Sequence, residues 1–530
     1  MKLLDGDYSF VIISKEETIL CKDRHGTGPQ FYYSNTFFAS NLNQLLNFKS
    51  FSAKPNYKSL FTFLSLGYIP SPECSLEGVK KLPADTVLIN KYGNTVLTKI
   101  NTFEDFMNSA GTLNISEADV TNEYKNLHKK AIQARVANKN SIGLLLSGGY
   151  DSGGNIAALR DFYDGKVNCF SIGFKRSTLT ELPFAKILAK TYNAEFYPYE
   201  IDGSEINYLP EIVDYLGDPF QEGGLMVNYS VMKIVSQSRP EILLGGDGND
   251  QYHGTSGKEL ALNWRINKNG FTCFQKLFSS ISDMSIFEKD NIFFRARFHN
   301  EKILNIQKSD TFGFSESLLK RLVLQKQYIQ TPDYTKLIPK KFKNFDEFYY
   351  VHNYLLDIQQ VINNVILFKA SKMASMFGNN LTFPYMSTDL YNFLKQLPVN
   401  LKFHGTVEQL SKGAGTSKFT HKQYFKPKLP PEIINRKRQG GFAPLPIFLK
   451  DNDRRKMIEN IILKSDATNE LFNKKFLNNC FSKYDAVANT DGYWFWYKQV
   501  KATQMFNLLV VSLWWERFIN NKSKNKLSEF

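Results

Sequence analysis

Between residues 141 and 248 short apolar runs alternate with stretches of helical spacing. "SIGLLLS" (141–147), "VNCFSIGF" (167–174), "EFYPYEI" (195–201) and "EILLGGDG" (241–248) read as strands. Between them a helix is expected from about 152 to 163, another over "ELPFAKILAKTYN" (181–193), and a third around 222 to 238. Alternation of this kind predicts an α/β fold, a parallel sheet covered by helices. The first hundred residues follow a different rhythm, with "YSFVIIS", "TILCKD", "QFYYSN", "FFAS", "DTVLIN" and "NTVLTKI" as short strands and "KYGN" as a turn. Ser116, followed three residues later by Asp119, marks a helix start, continued by "EADVTNEYKNLHKKAIQARV". A boundary near residue 110 is therefore expected, with a smaller β-rich domain at 1–110 and an α/β domain at 111–530 whose part beyond 270 is mainly helical.

A chain of 530 residues exceeds the usual size of one core, which agrees with two domains. No apolar run approaches the ~20 residues needed to cross a bilayer, and "MKLLDGDYSF" lacks the layout of a signal peptide, so a cytoplasmic protein with no membrane partner is expected. The five cysteines (Cys21, Cys74, Cys169, Cys273, Cys480) are scattered without a Cys-x-x-Cys pair, which argues for buried free thiols over disulfides, zinc or a dithiol centre. A net charge of +15 raises the question of nucleic acid, but the lysines are dispersed and no long basic block stands out. A basic solvated surface is the better reading.

The candidate chemistry lies in "LLLSGGYDSGGN" (144–155), the turn after the first buried strand. In an open parallel sheet ligands collect outside the carboxyl ends of strands. Gly148 and Gly149 let backbone N–H groups approach phosphate oxygens, and Ser147 and Ser152 add hydroxyl donors. The loop is not a Walker A motif, whose glycine spacing and lysine are missing. Asp151 alone would repel phosphate, so it implies an intervening cation, for which Mg²⁺ fits best. On spacing alone, a plain glycine turn with Asp151 capping the next helix stands equal to this reading.

Ser147-Gly148-Gly149-Tyr150-Asp151-Ser152 matches the Ser-Gly-Gly-x-Asp-Ser loop of the N-type ATP pyrophosphatases, and the surrounding chain resembles the asparagine synthetase family. Further segments agree in order: "FSIGF" (170–174), Glu181 with Ala185, "GGDGNDQYHG" (245–254), Lys369 to Pro384, "LPPEIINRKRQGGFAPLP" (429–446) and the tail "FNLLVVSLWWERF". The resemblance implies an adenine nucleotide α-hydrolase-like fold and an ATP- and Mg²⁺-dependent ligase. A carboxylate attacks the α-phosphate of ATP, pyrophosphate leaves, and an amine displaces AMP from the acyl-adenylate. It places Asp151 and Asp250 on Mg²⁺, and Leu145, Ile172, Gly173 and Gly246 around the nucleoside. Asp247 falls where asparagine synthetases carry a carboxylate and β-lactam-forming relatives a tyrosine, which suits a general base for ammonia or an anchor for a cationic group; an Asp that merely holds the glycine turn is the bland alternative. The family's catalytic lysine maps onto Arg436-Lys437-Arg438: the register gives Arg438 from one side and Gln439 from the other, with Lys437 one step earlier. A solvated basic loop is the alternative there. Gln251, Thr255 and Ser387 depart from the family's Glu, Gly and Asp.

"LDGDYSFVII", "CKDRHGTGPQFYYS" and "FFAS" resemble the back half of the class II glutamine amidotransferase domain, whose nucleophile is an N-terminal cysteine. This sequence opens with Met1-Lys2-Leu3, and its first cysteine, Cys21, falls on a predicted strand, so the glutaminase half is expected to be missing. Arg24 and Asp23 are then expected to form a turn-stabilising pair. Nitrogen would come as ammonia, free or from a separate glutaminase, or from an amine of the substrate, as in relatives that close lactam and lasso-peptide rings on a precursor peptide; a start codon further upstream is the remaining explanation. The acyl substrate is then a small-molecule or peptide carboxylate. An ATP pyrophosphatase acting on tRNA and a non-catalytic nucleotide-binding relative are the rival functions. The family often forms homodimers.

Overall fold

The computed structural model describes residues 4–175, 180–254, 257–268, 289–304, 313–330, 338–339, 341–436, 444–490 and 492–530. The front segment carries strands β1 (Ser9–Ile13), β2 (Glu17–Lys22), β3 (Tyr32–Tyr33), β4 (Phe38–Ala39), β5 (Lys80–Lys81), β6 (Thr86–Lys91) and β7 (Asn94–Lys99), helix α1 (Tyr57–Leu66), and short helical turns at Leu42–Asn47 and Phe103–Ser109. They form two antiparallel sheets, β1-β2-β6-β7 and β4-β3-β5. The expected Asp23–Arg24 pair does not form. Asp23 accepts hydrogen bonds from the backbone N–H groups of His25, Thr27 and Gly28 and from the Thr27 hydroxyl, pinning its own turn, while Arg24 Nη1 donates to Asn392 Oδ1 at 3.2 Å. A carboxylate surrounded by that many donors has no need of the guanidinium beside it in sequence.

Helix α2 (Glu117–Val136) begins as the sequence predicts, with the Ser116 side chain accepting from Asp119 N and capping the first turn. The chain then alternates through β8 (Ser141–Leu145), α3 (Tyr150–Leu159), β9 (Lys166–Phe174), α4 (Leu182–Thr191), β10 (Glu195–Ile201), α5 (Leu209–Leu216), α6 (Leu225–Ser238), β11 (Ile242–Leu244) and α7 (Asn249–His253). A fifth strand, β12 (Leu381–Thr382), follows helix α8 (Leu367–Met376). The five strands are parallel in the order β10-β9-β8-β11-β12.

The mainly apolar runs of β8, β9 and β11 follow from burial on both faces, whereas β10, at the sheet edge, is largely exposed. Leu243 and Phe170 enter a core built with α1, α6 and the long helix α10 (Phe495–Phe518), which follows the short helix α9 (Phe419–Phe425). Their neighbours Ile242, Leu244 and Cys169 point the other way, into a core built with α2, α3 and α4. The amphipathic cue weakens for this reason. Helix α10 is buried around most of its circumference, and its Trp514 indole N–H donates to Gly217 O at 2.9 Å. Strand order reverses between β8 and β11, so their carboxyl ends form a crevice. No described helix is long and apolar enough to cross a membrane. Cys21, Cys74, Cys169 and Cys480 are free thiols, and Cys273 lies outside the described residues.

Candidate active site

The loop after β8 turns on Gly148, whose φ of +73° is natural only for glycine. A Cβ at that position would also lie 2.6 Å from Phe184 Cβ and 2.8 Å from Ala185 N. The turn lifts Ser147 and Gly149 to the mouth of α3. Ser147 N donates to Ser152 Oγ at 3.1 Å, and the two hydroxyl oxygens lie 3.1 Å apart. Gly149 is the N-cap of α3 and offers no side chain to the first turn, which leaves the start of the helix without a side-chain cap, the arrangement in which a helix dipole suits an anion. Asp151 sits inside that turn.

The loop after β11 runs alongside. Gly246 lies so close to the Ser152 backbone that a Cβ on it would be 3.4 Å from Ser152 N. Asp250, in the first turn of α7, reaches the same point as Asp151. Lys418, buried and with φ of +53° at the N-cap of α9, places its ammonium between them: Nζ is 2.7 Å from Asp151 Oδ2, 2.9 Å from Asp151 Oδ1 and 2.8 Å from Asp250 Oδ1. The ammonium stands where two converging carboxylates create a cation position. A divalent ion ligated by those carboxylates and by phosphate oxygens matches what Mg²⁺ prefers, so the donor set fits the ion implied by the sequence.

Asp151 is held from below by a buried polar layer. Asn249 Nδ2 donates to Asp151 Oδ1 at 2.6 Å, and the His421 ring nitrogen Nε2 lies 3.5 Å from the same oxygen. Tyr124 Oη is 2.9 Å from His421 Nδ1 and donates to Asn249 Oδ1 at 3.3 Å. Asn155 completes the layer, with Nδ2 donating to Gly245 O at 3.0 Å and Oδ1 2.9 Å from His128 Nε2. Burial, the Lys418 charge and the neighbouring histidines hold the His421 imidazole well below its ordinary pKa, so it stays neutral against Asp151.

Asp247 is half-buried at the end of the β11 loop. Desolvation pushes its carboxyl up to about 6; Lys369 opposes that shift, and Asp151, Glu222 and Asp250 add to it. Lys369 in turn pairs with Glu222, which also accepts from Gly224 N at 2.9 Å. Four carboxylates and two ammoniums thus gather at the crevice. Ile172 and Gly173 lie at the carboxyl end of β9 and Leu145 at the end of β8. A Cβ on Gly173 would lie 2.5 Å from both Thr180 Oγ1 and Leu182 Cδ1, so the glycine is needed for packing against the entry to α4. A surface hollow lined by Gln133, Lys139, Asn140 and Tyr163 opens at the amino end of β8 and holds none of these groups.

Ser147, Gly148, Gly149, Asp151, Ser152, Gly246, Asp247 and Asp250 are therefore brought together at one crevice. Lys437 and Arg438, with Gln439, lie outside the described residues, as does Thr255. Their neighbour Arg436 closes over the loop, with Nη1 donating to Gly148 O at 2.9 Å and Nη2 paired with Glu181. Lys418, Asn249, Tyr124 and His421 escape a reading of the sequence. Lys418 sits in the unremarkable "GTSKFTHK", and nothing local ties it to a strand turn 267 residues earlier.

Residues 123–516 match the model of the asparagine synthase family, and residues 1–101 that of the glutamine amidotransferase domain. Asparagine synthetase [glutamine-hydrolyzing] 1 of Bacillus subtilis is 22% identical over 491 residues, covering 88% of this chain and 72% of that protein. A putative asparagine synthetase [glutamine-hydrolyzing] 2 of Methanocaldococcus jannaschii is 28% identical over 265 residues, 48% of this chain and 50% of that protein. A putative asparagine synthetase [glutamine-hydrolyzing] of Mycobacterium bovis is 20% identical over 471 residues, 85% of this chain and 69% of that protein. With the family's model matched over well more than half of its length, and with the loops that carry the motifs meeting at one crevice, the chain belongs to the asparagine synthase family.

Proposed function

We propose that the chain is an ATP-dependent carbon–nitrogen ligase that activates a carboxylate by adenylation. The carboxylate oxygen bonds to the α-phosphorus of ATP as the bond to pyrophosphate breaks. An amine nitrogen then bonds to the acyl carbon and AMP departs. The observation that carries this reading is the convergence of Asp151 and Asp250, from the turns after β8 and β11, on one cation position beside the open mouth of α3. Asp151 and Asp250 would hold Mg²⁺, which when bound supplies charge neutralisation on the diphosphate. The N–H groups and hydroxyls of residues 147–152 would orient the phosphates, and Leu145, Ile172, Gly173 and Gly246 the nucleoside.

Asp247 is placed to receive the proton of the attacking amine or to anchor an ammonium, because a carboxyl with a pKa of about 6 is ionised at neutral pH yet still basic enough to accept a proton. The amine is ammonia or one carried by the substrate, a small-molecule or peptide carboxylate. Cys21 suits packing rather than glutamine hydrolysis, since it is buried on β2 and burial pushes its thiol pKa up. We further propose that residues 1–110 and 111–530 act as separate domains, and that Lys437 or Arg438 meets the acyl-phosphate charge.

The test is exchange of radiolabelled pyrophosphate into ATP across a panel of amino acids and peptides. Exchange stimulated by an acid and abolished by Asp151→Asn or Asp250→Asn is expected. Acid-independent ATP binding with no exchange would reduce the chain to a nucleotide-binding relative, and salt-sensitive tRNA binding without exchange would favour the tRNA reading.

A further inference from the structure

Arg436 makes three contacts at once, and all of them bear on the turn after β8. Its Nη1 donates to Gly148 O at 2.9 Å, its Nη2 pairs with Glu181, and its guanidinium carbon lies 4.8 Å from the centre of the Phe184 ring. The Arg436 and Glu181 side chains are 10% and 20% exposed. Glu181 is the N-cap of α4, yet its carboxylate makes no bond to the N–H groups of that helix, which leaves it for the guanidinium. Phe184 stands in the first turn of the same helix, against which Gly148 packs with no room for a Cβ. A planar guanidinium can donate along two edges and stack by its face at the same time, which an ammonium cannot.

The consequence lies across one peptide bond. The Gly148 carbonyl and the Gly149 N–H belong to the same planar, trans unit, so they point in opposite directions. With the carbonyl held by Arg436, the Gly149 N–H is turned toward the hydroxyls of the loop: it donates to Ser147 Oγ at 3.4 Å, and that oxygen lies 3.1 Å from Ser152 Oγ. A peptide between two glycines resists flipping least, because neither flanking residue has a Cβ to oppose it. A flipped unit would present a carbonyl oxygen where a phosphate needs a donor. The loop therefore depends on a restraint from outside itself, and Arg436 supplies one from 288 residues further along the chain.

We infer that Arg436 is a positioning residue of the diphosphate site: it pins the 148–149 peptide so that the Gly149 N–H joins the Ser147 and Ser152 hydroxyls on one side of the turn. The assignment rests on the proposal that this loop receives the phosphates of ATP. It is separate from the role proposed for Lys437 or Arg438, since Nη1 and Nη2 of Arg436 are committed within the protein. The guanidinium charge is matched by Glu181, so what Arg436 adds is direction more than charge.

The test reads binding instead of turnover: the affinity of the full chain for magnesium pyrophosphate and for Mg-ATP, by isothermal titration calorimetry. Arg436→Ala is expected to weaken both by roughly 10- to 100-fold, the worth of a charge-assisted hydrogen bond. Arg436→Lys keeps the charge without the fork and should lose nearly as much. Guanidinium added below denaturing concentration should restore binding to Arg436→Ala, and an equal concentration of tetramethylammonium should not. Glu181→Gln, which removes the second anchor and leaves the loop sequence intact, serves should Arg436→Ala fail to fold; it should weaken pyrophosphate binding, whereas a role through charge alone would tighten it. Parent affinity in Arg436→Ala or Arg436→Lys, or tighter binding in Glu181→Gln, overturns the inference. Should the parent bind pyrophosphate in an Arg436-dependent manner yet show no acid-stimulated exchange, the ligase reading falls and this one stands. Should the parent bind neither ligand, both fall.

Discussion

Lys418 and a divalent ion compete for the same two carboxylates. The ammonium contacts both Asp151 oxygens and Asp250 Oδ1 within 2.9 Å, so a metal can enter only as that contact opens. Hydrogen bonds between charged partners contribute about 1.5–3 kcal/mol, and removing this competitor should tighten metal binding about tenfold. Lys418→Met is thus expected to lower the Kd for Mn²⁺ without nucleotide, read by electron paramagnetic resonance; weaker binding would mean that the lysine supports the ion. In the proposed reaction Asp247 would carry the pH dependence of the amine step. With its carboxyl pushed up to about 6, it is protonated below that pH and ionised above it. The rate with saturating ATP should fall as pH drops through about 6. Asp247→Asn should erase that limb and lower the rate by roughly 10²–10⁴-fold; an unchanged acid limb in the variant would assign the titration elsewhere.

The elements that build the crevice differ in how plainly the sequence announces them. β8, β9 and β11 stand out because strands buried on both faces are mostly apolar, and the glycines that follow β8 and β11 mark their turns, while the edge strand β10 is largely exposed and carries Glu195, Pro198 and Glu200. Helix α1 does not stand out: "YKSLFTFLSL" is buried along nearly its whole length, so it shows no polar face, and it reads like the strands around it. β3 shrinks from an expected six-residue strand to Tyr32–Tyr33 because only those two residues find ladder partners, Ala39 with Phe38 and Lys81 with Lys80. The carboxylate half of the site is legible because its spacing is local to two turns, whereas Lys418 and the Tyr124–His421–Asn249 layer exist only through tertiary packing. The turn after β8 is also where a small backbone change should be costly. Gly148→Ala forces a side chain into left-handed backbone and against Phe184 and the Ala185 N–H, and should destabilise by about 2 kcal/mol or more. Urea unfolding should show a lower midpoint with an unchanged m-value, and nucleotide binding should weaken because the N–H groups of the turn move; a neutral substitution would mean that the loop relaxes freely.

At the scale of the whole molecule, the buried histidines couple stability to pH. His25 lies at the contact between the front turn and Tyr252 and Tyr391, His128 and His253 lie in the layer below the crevice, and His352 packs at a tilt against Phe348. Burial holds these four far below their unfolded value, at about 3 for His25 and His253 and about 4 for His128 and His352, and it holds His421 of the same layer well below as well. Depressed folded pKa values mean that the unfolded chain binds more protons than the native one between about 6.5 and 4. The stability they contribute is therefore complete above pH 6.5 and is lost as pH falls through that window, by about 2 kcal/mol per histidine between pH 6.5 and 5. Buried carboxyls act in the opposite sense: Asp85 and Asp247 are pushed up to about 6, burial also raises Asp23 and Glu181, and their protonation offsets part of the loss. Unfolding free energy measured in urea should fall steadily from pH 7 to pH 5, and His352→Gln, remote from the crevice, should make that decline shallower by one histidine's share. Stability that is flat or rising over this range would mean that these imidazoles are solvated enough to charge in place, and that the two cores are looser around them than their packing implies.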